Sequence, residues 1–250
     1  EVVQHAIRHA DVTIMALVPN IKGAEATMRA GAHKITLPVS ASPAHSMANV
    51  RKTPGQMMEQ VRAIAALRND IAPHVHIEVG ISTAFGCTLQ GLVPEDDVIA
   101  LAVACVQAGA DECGLSDTTG MANPAQVKRL FTRLRHELGD KAGAAHMHNT
   151  RGLGLANCLA AYEAGVRTFD SSQAGLGGCP YAPGASGNVV TEDLVFMFEA
   201  MGLRTGIDIE RLLSARNTLA QGLPGEALYG MLPPAGLPKG FAPHPYHTAV

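Results

Sequence analysis

The sequence predicts an α/β chain on the plan of a (β/α)8 TIM barrel, and three observations point there. A short pattern recurs: Arg29-Ala-Gly-Ala-His-Lys-Ile-Thr-Leu37, Gln107-Ala-Gly-Ala-Asp-Glu-Cys-Gly-Leu115 and Glu163-Ala-Gly-Val-Arg-Thr-Phe-Asp170. Each copy sets a glycine after an amphipathic helix and a short apolar strand after the glycine, which suits a helix C-cap because glycine adopts the left-handed conformation cheaply. Helix, cap, strand and loop then repeat along the chain, the rhythm of a parallel βα array. Finally, 250 residues that are 47% hydrophobic fit one large core, and α/β barrels of this length are commonly single domains.

In chain order, strands are expected over 12–18, 33–39, 75–81, 112–116, 143–148 and 167–170. Helices are expected over 23–30, 54–68, 94–107, 124–137, 154–164 and 191–201, with one more over 208–223. Pro54, Pro94 and Pro124 open three of them, and proline suits a first turn that needs no N–H donor. From about residue 232 the proline- and glycine-rich end reads as an irregular tail of a single domain spanning 1–250. Six units fall short of eight, and Glu1 leads directly into a helical pattern at Val2-Val3, Ala6-Ile7 and Ala10. The expectation is that the first two βα units, roughly 50 residues, are absent from this chain.

Bulk properties exclude several classes. A net charge of −3 argues against a nucleic-acid surface or a polybasic membrane patch. No apolar run is long enough to cross a bilayer, and the start Glu-Val-Val-Gln-His has no signal-peptide pattern. Five scattered cysteines with no Cys-x-x-Cys pair read as a reduced, cytoplasmic-type protein.

Chemistry in a parallel barrel gathers at the C-terminal ends of strands. His146 and His148 alternate on one strand there and face one side. Two such imidazoles suit a divalent metal; the alternative is a hydrogen-bonded core pair. His74 and His76 alternate likewise, but at a strand's beginning, and are assigned to structure or surface. Asp117 follows an apolar strand, so its buried carboxylate needs a partner. It would orient a metal-bound water or a ligating histidine, or cap the following loop. Ser82 and Thr83 are placed to hydrogen-bond a ligand oxygen, and Lys22, beside Asn20, either meets an anionic group or stays solvated.

The stretch 171–188 holds five glycines, two prolines, Cys179 and no charge. Loops this long in compact domains are usually functional or disordered, and disorder favours charge. It is read as an active-site lid carrying Cys179, against a flexible surface connection.

Taken together, Val18-Pro-Asn-Ile-Lys-Gly23, Ser82-Thr-Ala-Phe-Gly-Cys87, Leu115-Ser-Asp-Thr-Thr-Gly120, His146-Met-His148 and the run from Asp170 through Asn188 to Leu194 resemble the 3-hydroxy-3-methylglutaryl-CoA lyase family of metal-dependent TIM-barrel enzymes. The resemblance implies His146, His148 and Asn188 as ligands of Mg²⁺ or Mn²⁺. It implies Cys179, Asp117 and His146 as catalytic residues, and Asn20, Lys22, Ser82, Thr83, Thr118, Gly178 and Ser186 as substrate-binding ones. It also implies an acyl-CoA substrate, a retro-Claisen cleavage to acetyl-CoA and a ketoacid such as acetoacetate, and a homodimer.

The departures are specific. The family's first-strand Arg-Asp pair and second-strand glutamate have no counterpart here. Arg151 stands where the family's His-Asp-Thr-Tyr-Gly run has tyrosine, and Glu78 stands where the family tends to have an arginine. The last two motivate the alternative of a lyase or synthase for another 3-hydroxyacyl-CoA on the same scaffold, and the missing first strands that of a catalytically silent acyl-CoA-binding barrel.

Overall fold

Six parallel strands form one sheet whose spatial order follows the chain: β1 (Met15–Leu17), β2 (Lys34–Ser40), β3 (His76–Ser82), β4 (Glu112–Ser116), β5 (Ala142–His146) and β6 (Phe169–Asp170). The computed structural model describes residues 1–177 and 187–242. Parallel neighbours need crossover connections. These are α2 (Ile21–Arg29) after β1, α3 (Pro43–Val50) and α4 (Pro54–Ile71) after β2, α5 (Glu95–Gln107) after β3, α6 (Pro124–Leu138) after β4 and α7 (Gly154–Glu163) after β5, with α1 (Val2–Ala6) preceding β1. The chain ends through α8 (Thr191–Ala200), α9 (Ile209–Gly222) and α10 (Leu232–Ala235).

Local chemistry explains the punctuation. Side chains of Asn20, Ser42, Thr53, Asn123 and Asp208 each accept a backbone N–H at a helix start, and Thr53 with Gln56 completes a reciprocal capping box. The repeated glycines Gly31, Gly109 and Gly165 take φ of +91°, +109° and +97°, as the helix-cap reading requires.

Alternation along the strands divides two environments. Ile35, Leu37, Val39, Ile77, Val79 and Ile81 are fully buried on one face of the sheet. Leu130, Phe131 and Leu134 of α6 are buried in the same core; each such side chain contributes about 1.5–3 kcal/mol. The other face carries Thr36, Glu78, Gly80, Gly114, Ser116 and His146, which line a cavity.

At the strand N-termini an ionic cluster closes the sheet. Lys34 bonds Glu78 at 2.8 Å and also Glu112. Arg68 bonds Asp111 at 2.7 Å, and Asp111 also accepts the Ile77 N–H. His76 lies 3.5 Å from Glu112 at this end, remote from the strand C-termini.

Several elements differ from expectation. β1 occupies only Met15–Leu17 of the predicted 12–18, because it pairs over three residues with β2. β5 ends at His146, since the chain leaves the ladder there and His148 bridges Asn188 instead. α3 falls where no helix was expected, although Ser42 followed by Pro43 is a start signal. Pro94 is the residue before α5, whereas Pro54 and Pro124 lie in first turns. The tail, expected to be irregular from about residue 232, opens with the helical turn α10, whose Leu232 packs with Val195 and Ile209.

Candidate active site

Four strands end on a functional group: Ser82 ends β3, Ser116 ends β4, His146 ends β5 and Asp170 ends β6. All four line one cavity of about 430 Å³ together with His148 and Asn188. The register places Ser116, His146 and Asp170 side by side across three strands.

The two imidazoles converge. Their Nε2 atoms lie 3.2 Å apart. His146 Nδ1 lies 3.2 Å from Asp170 Oδ2, so an N–H there donates to the carboxylate and leaves Nε2 with a lone pair. Burial first, and the neighbouring His146 second, push the His148 pKa down to about 4, so its ring is neutral at pH 7.

Asn188 reaches this point through the backbone. Its segment runs antiparallel to His148, with Val189 N–H donating to Met147 O at 3.0 Å. Its Nδ2 donates to Leu176 O at 3.1 Å, while Oδ1 is buried without a hydrogen-bond partner among the described residues. Gly187 permits the approach, because a Cβ there would overlap the carbonyl oxygens of Gly175 and Gly177.

This donor set fits a divalent cation. A metal–nitrogen bond near 2.1 Å puts two ligands at a right angle about 3 Å apart, which is the imidazole spacing seen here. An unpartnered amide oxygen beside them supplies the hard donor that Mg²⁺ or Mn²⁺ prefers. Among the described residues no group of three His, Cys, Asp or Glu side chains gathers to hold a metal, so the fit rests on the amide as third donor.

The remaining predicted residues divide. Ser82 and Thr118 line the cavity. Thr83 does not: it is fully buried, holds φ +56° and bonds Ser40 Oγ and the Ser82 carbonyl. It therefore shapes the wall from behind. Asp117 is also outside the lining; its Oδ1 accepts the Met121 and Ala122 N–H groups at 2.8 and 3.1 Å. Its own N–H donates to His146 O at 2.8 Å, and its Oδ2 is buried without a partner among the described residues. Burial pushes its pKa up to about 6, against the pull of those amides.

Asn20 caps α2 through the Gly23 N–H, and Lys22 is exposed in that helix's first turn. Arg151 Nη1 donates to the carbonyls of Thr119 and Gly120 at 3.1 and 2.8 Å, clamping the loop after β4. Cys179, Gly178 and Ser186 lie outside the described residues.

Sequence reading missed Asp170, although its place at a strand end was a usable signal. It also missed His45, buried in α3, whose Nδ1 lies 3.1 Å from Ser40 Oγ and which lines the cavity. Without the α3 assignment nothing brought it there. Glu78 was noted only as a departure; in the structure it lines the same cavity, 4% exposed. Burial pushes its pKa up while Lys34 pulls it down, and the charge of Asp170 reaches it.

Three comparisons match this architecture. The HMGL-like family model matches residues 1–219. Hydroxymethylglutaryl-CoA lyase YngG of Bacillus subtilis is 40% identical over 209 residues, 83% of this chain and 69% of that protein. (R)-citramalyl-CoA lyase of Chloroflexus aurantiacus is 40% identical over 222 residues, 88% of this chain and 69% of that protein. Among solved structures, an HMG-CoA lyase from Acinetobacter baumannii in complex with coenzyme A and 3-methylmalate superposes with a TM-score of 0.87 at 40% identity, covering 95% of this chain and 77% of that one.

Proposed function

The chain belongs to the HMGL-like family, and on that premise we propose that it is a metal-dependent carbon–carbon lyase. Its reaction is the retro-Claisen cleavage of a 3-hydroxy-3-methylglutaryl-CoA-type thioester to acetyl-CoA and acetoacetate. The observation that carries this reading is the meeting of two Nε2 atoms 3.2 Å apart beside the open Asn188 amide oxygen at the strand C-termini.

His146, His148 and Asn188 would hold Mg²⁺ or Mn²⁺. Bound there, the ion supplies Lewis acidity that lowers the pKa of the substrate's tertiary hydroxyl. Asp170 keeps His146 oriented through Oδ2, and its carboxylate, which lines the cavity, takes the hydroxyl proton on its other oxygen. Asp117 is a positioning residue, since it fixes the loop behind His146 rather than entering the cavity.

The C–C bond breaks toward the thioester, whose enolate takes the electron pair while the carbinol carbon becomes a ketone. Cys179 then protonates the enolate carbon, giving the methyl group of acetyl-CoA. Ser82 and Thr118 present hydroxyls to the substrate. Lys22 and Asn20, with the Gly178 and Ser186 positions, are assigned to the coenzyme A portion and the acyl group. The active assembly is proposed as a homodimer.

The test is acetyl-CoA release by the purified protein from hydroxymethylglutaryl-CoA with Mg²⁺ or Mn²⁺, lost on chelation and restored by metal. Absence of release from every member of a 3-hydroxyacyl-CoA panel refutes the reading. A second reading keeps the chemistry and changes the acyl group. It is favoured by Glu78 in the cavity and by the equal identity to a citramalyl-CoA lyase. Arg151 does not support it, because its guanidinium is engaged outside the cavity.

A further inference from the structure

The cavity has a chemically distinctive floor. Glu78 is 4% exposed yet lines the open space. Its Oε2 bonds Lys34 at 2.8 Å, and no hydrogen bond reaches Oε1 among the described residues. Lys34 is not part of the lining and is shared with Glu112. A ligand entering from above therefore meets the carboxylate and not the ammonium. Asp170 lies on the same wall beside the imidazoles that would hold the ion, so Glu78 is the negative group at the other end of the cavity.

The space above this carboxylate is open by composition. Gly80 follows Glu78 by two residues and faces the same side. Neither backbone nor packing demands glycine at this position. It is absent from the positive-φ residues, and an added Cβ would meet nothing closer than Ser116 Oγ at 3.6 Å. Its missing side chain leaves a well about 7 Å deep along the strand, flanked by Thr36 and Ser116. A substituent of roughly three heavy atoms would span much of it, at that rise per residue.

We propose that Glu78 and Gly80 form a specificity subsite for an acyl group whose remote end carries a neutral hydrogen-bond donor, a hydroxyl, and not a second carboxylate. The hydroxyl donates to Glu78 Oε1. A carboxylate in the same place faces a like charge, which disfavours it. An alkyl end leaves the carboxylate without its partner. This rests on the second reading, a lyase of the same chemistry whose acyl group differs and whose acid fragment is a 2-oxo acid, but the subsite itself is defined by the cavity.

The test uses the metal-loaded protein and three free 2-oxo acids of five carbons that differ only at the far end: methyl, hydroxymethyl or carboxylate. Calorimetry gives their dissociation constants. The hydroxyl-ended acid should bind about tenfold tighter than the methyl-ended one, in line with a hydrogen bond to a charged acceptor. It should bind at least about tenfold tighter than the carboxylate-ended one, given the like-charge penalty.

Glu78→Gln keeps the volume and leaves Lys34 its Glu112 partner, so it tests charge without dismantling the floor. It should shrink the hydroxyl-to-carboxylate ratio to within about threefold as that repulsion is removed. Gly80→Leu fills the well and should weaken all three five-carbon acids relative to pyruvate. Equal binding of the hydroxyl- and carboxylate-ended acids, no binding of the hydroxyl-ended acid at about 10 mM, or an unchanged ratio in Glu78→Gln overturns the subsite. Ordered binding without acetyl-CoA release from any thioester would refute the lyase reading and leave the subsite standing.

Discussion

Arg216→Met should lower stability and loosen the metal site together. Glu192 is fully buried at the start of α8. It accepts the Ala174 N–H at 3.0 Å and Arg216 Nη1 at 3.0 Å, and the same guanidinium nitrogen donates to Tyr229 O at 2.8 Å. Removing one partner of a buried pair costs about 3–5 kcal/mol, because the other charge is left without compensation. Arg216 is 15% exposed, so the lower end, about 3 kcal/mol, applies.

With a urea slope near 3 kcal/mol/M, the unfolding midpoint should fall by about 1 M. Glu192→Gln combined with Arg216→Met should recover part of this loss, since no buried charge remains. Ala174 directly precedes Gly175, whose carbonyl crowds Gly187; Mn²⁺ affinity should therefore weaken by a few-fold in the single variant. A midpoint shift below about 0.3 M would show that the guanidinium contributes little to holding Glu192 and the Ala174 backbone in place.

Other perturbations have distinct signatures. Asn188→Ala should reduce Mn²⁺ affinity by at least about tenfold, while Asp170→Asn should cost about 10–100-fold by releasing the His146 ring; metal titration followed by electron paramagnetic resonance reads both, and unchanged affinity in either removes that residue from the site. Cys179→Ala should lower acetyl-CoA release at least about 100-fold with little change in melting temperature, and undiminished turnover excludes the thiol as the acid. For pH, burial alone would raise the Asp111 pKa, but the Ile77 N–H and Arg68 hold it below the ordinary value. Its folded pKa thus lies below its unfolded one, so its stabilisation is present above about pH 4 and is lost as pH falls through the folded value. Asp111→Asn should destabilise the protein at pH 7 and much less at pH 3, by denaturant midpoints at the two values; an equal loss at both would contradict the assignment.

The fold was legible wherever local chemistry and periodicity agreed. Gly31, Gly109 and Gly165 announced the helix ends, and the apolar runs after the second and third of these mark β4 and β6. α3 was not read, because eight residues between a strand and the Thr53 cap resemble a connection; His45 was lost from view with it. The alternation of His146 and His148 signalled a common side, but no spacing rule brings Asn188 there. That contact depends on a backbone bridge across forty residues of sequence.

Asp117 shows the converse. Its position after an apolar strand pointed to the cavity, yet the odd–even phase of β4 sends Ser116 and Thr118 inward. Asp117 turns instead to the loop amides. Glu78 and Lys34 are distant in sequence and meet only because β2 and β3 are adjacent.

Asn188 is held by its neighbours on the rigid frame: the His148 bridge, the Met147 carbonyl reached through Val189, and the Leu176 carbonyl. Those anchors lie outside 178–186. Each of these contacts that fixes the Asn188 backbone and its amide nitrogen is therefore supplied from within 1–177 and 187–242. Substitutions confined to 178–186 leave each of those anchors its partner, so sequence there can vary in descent without re-laying the coordinating trio.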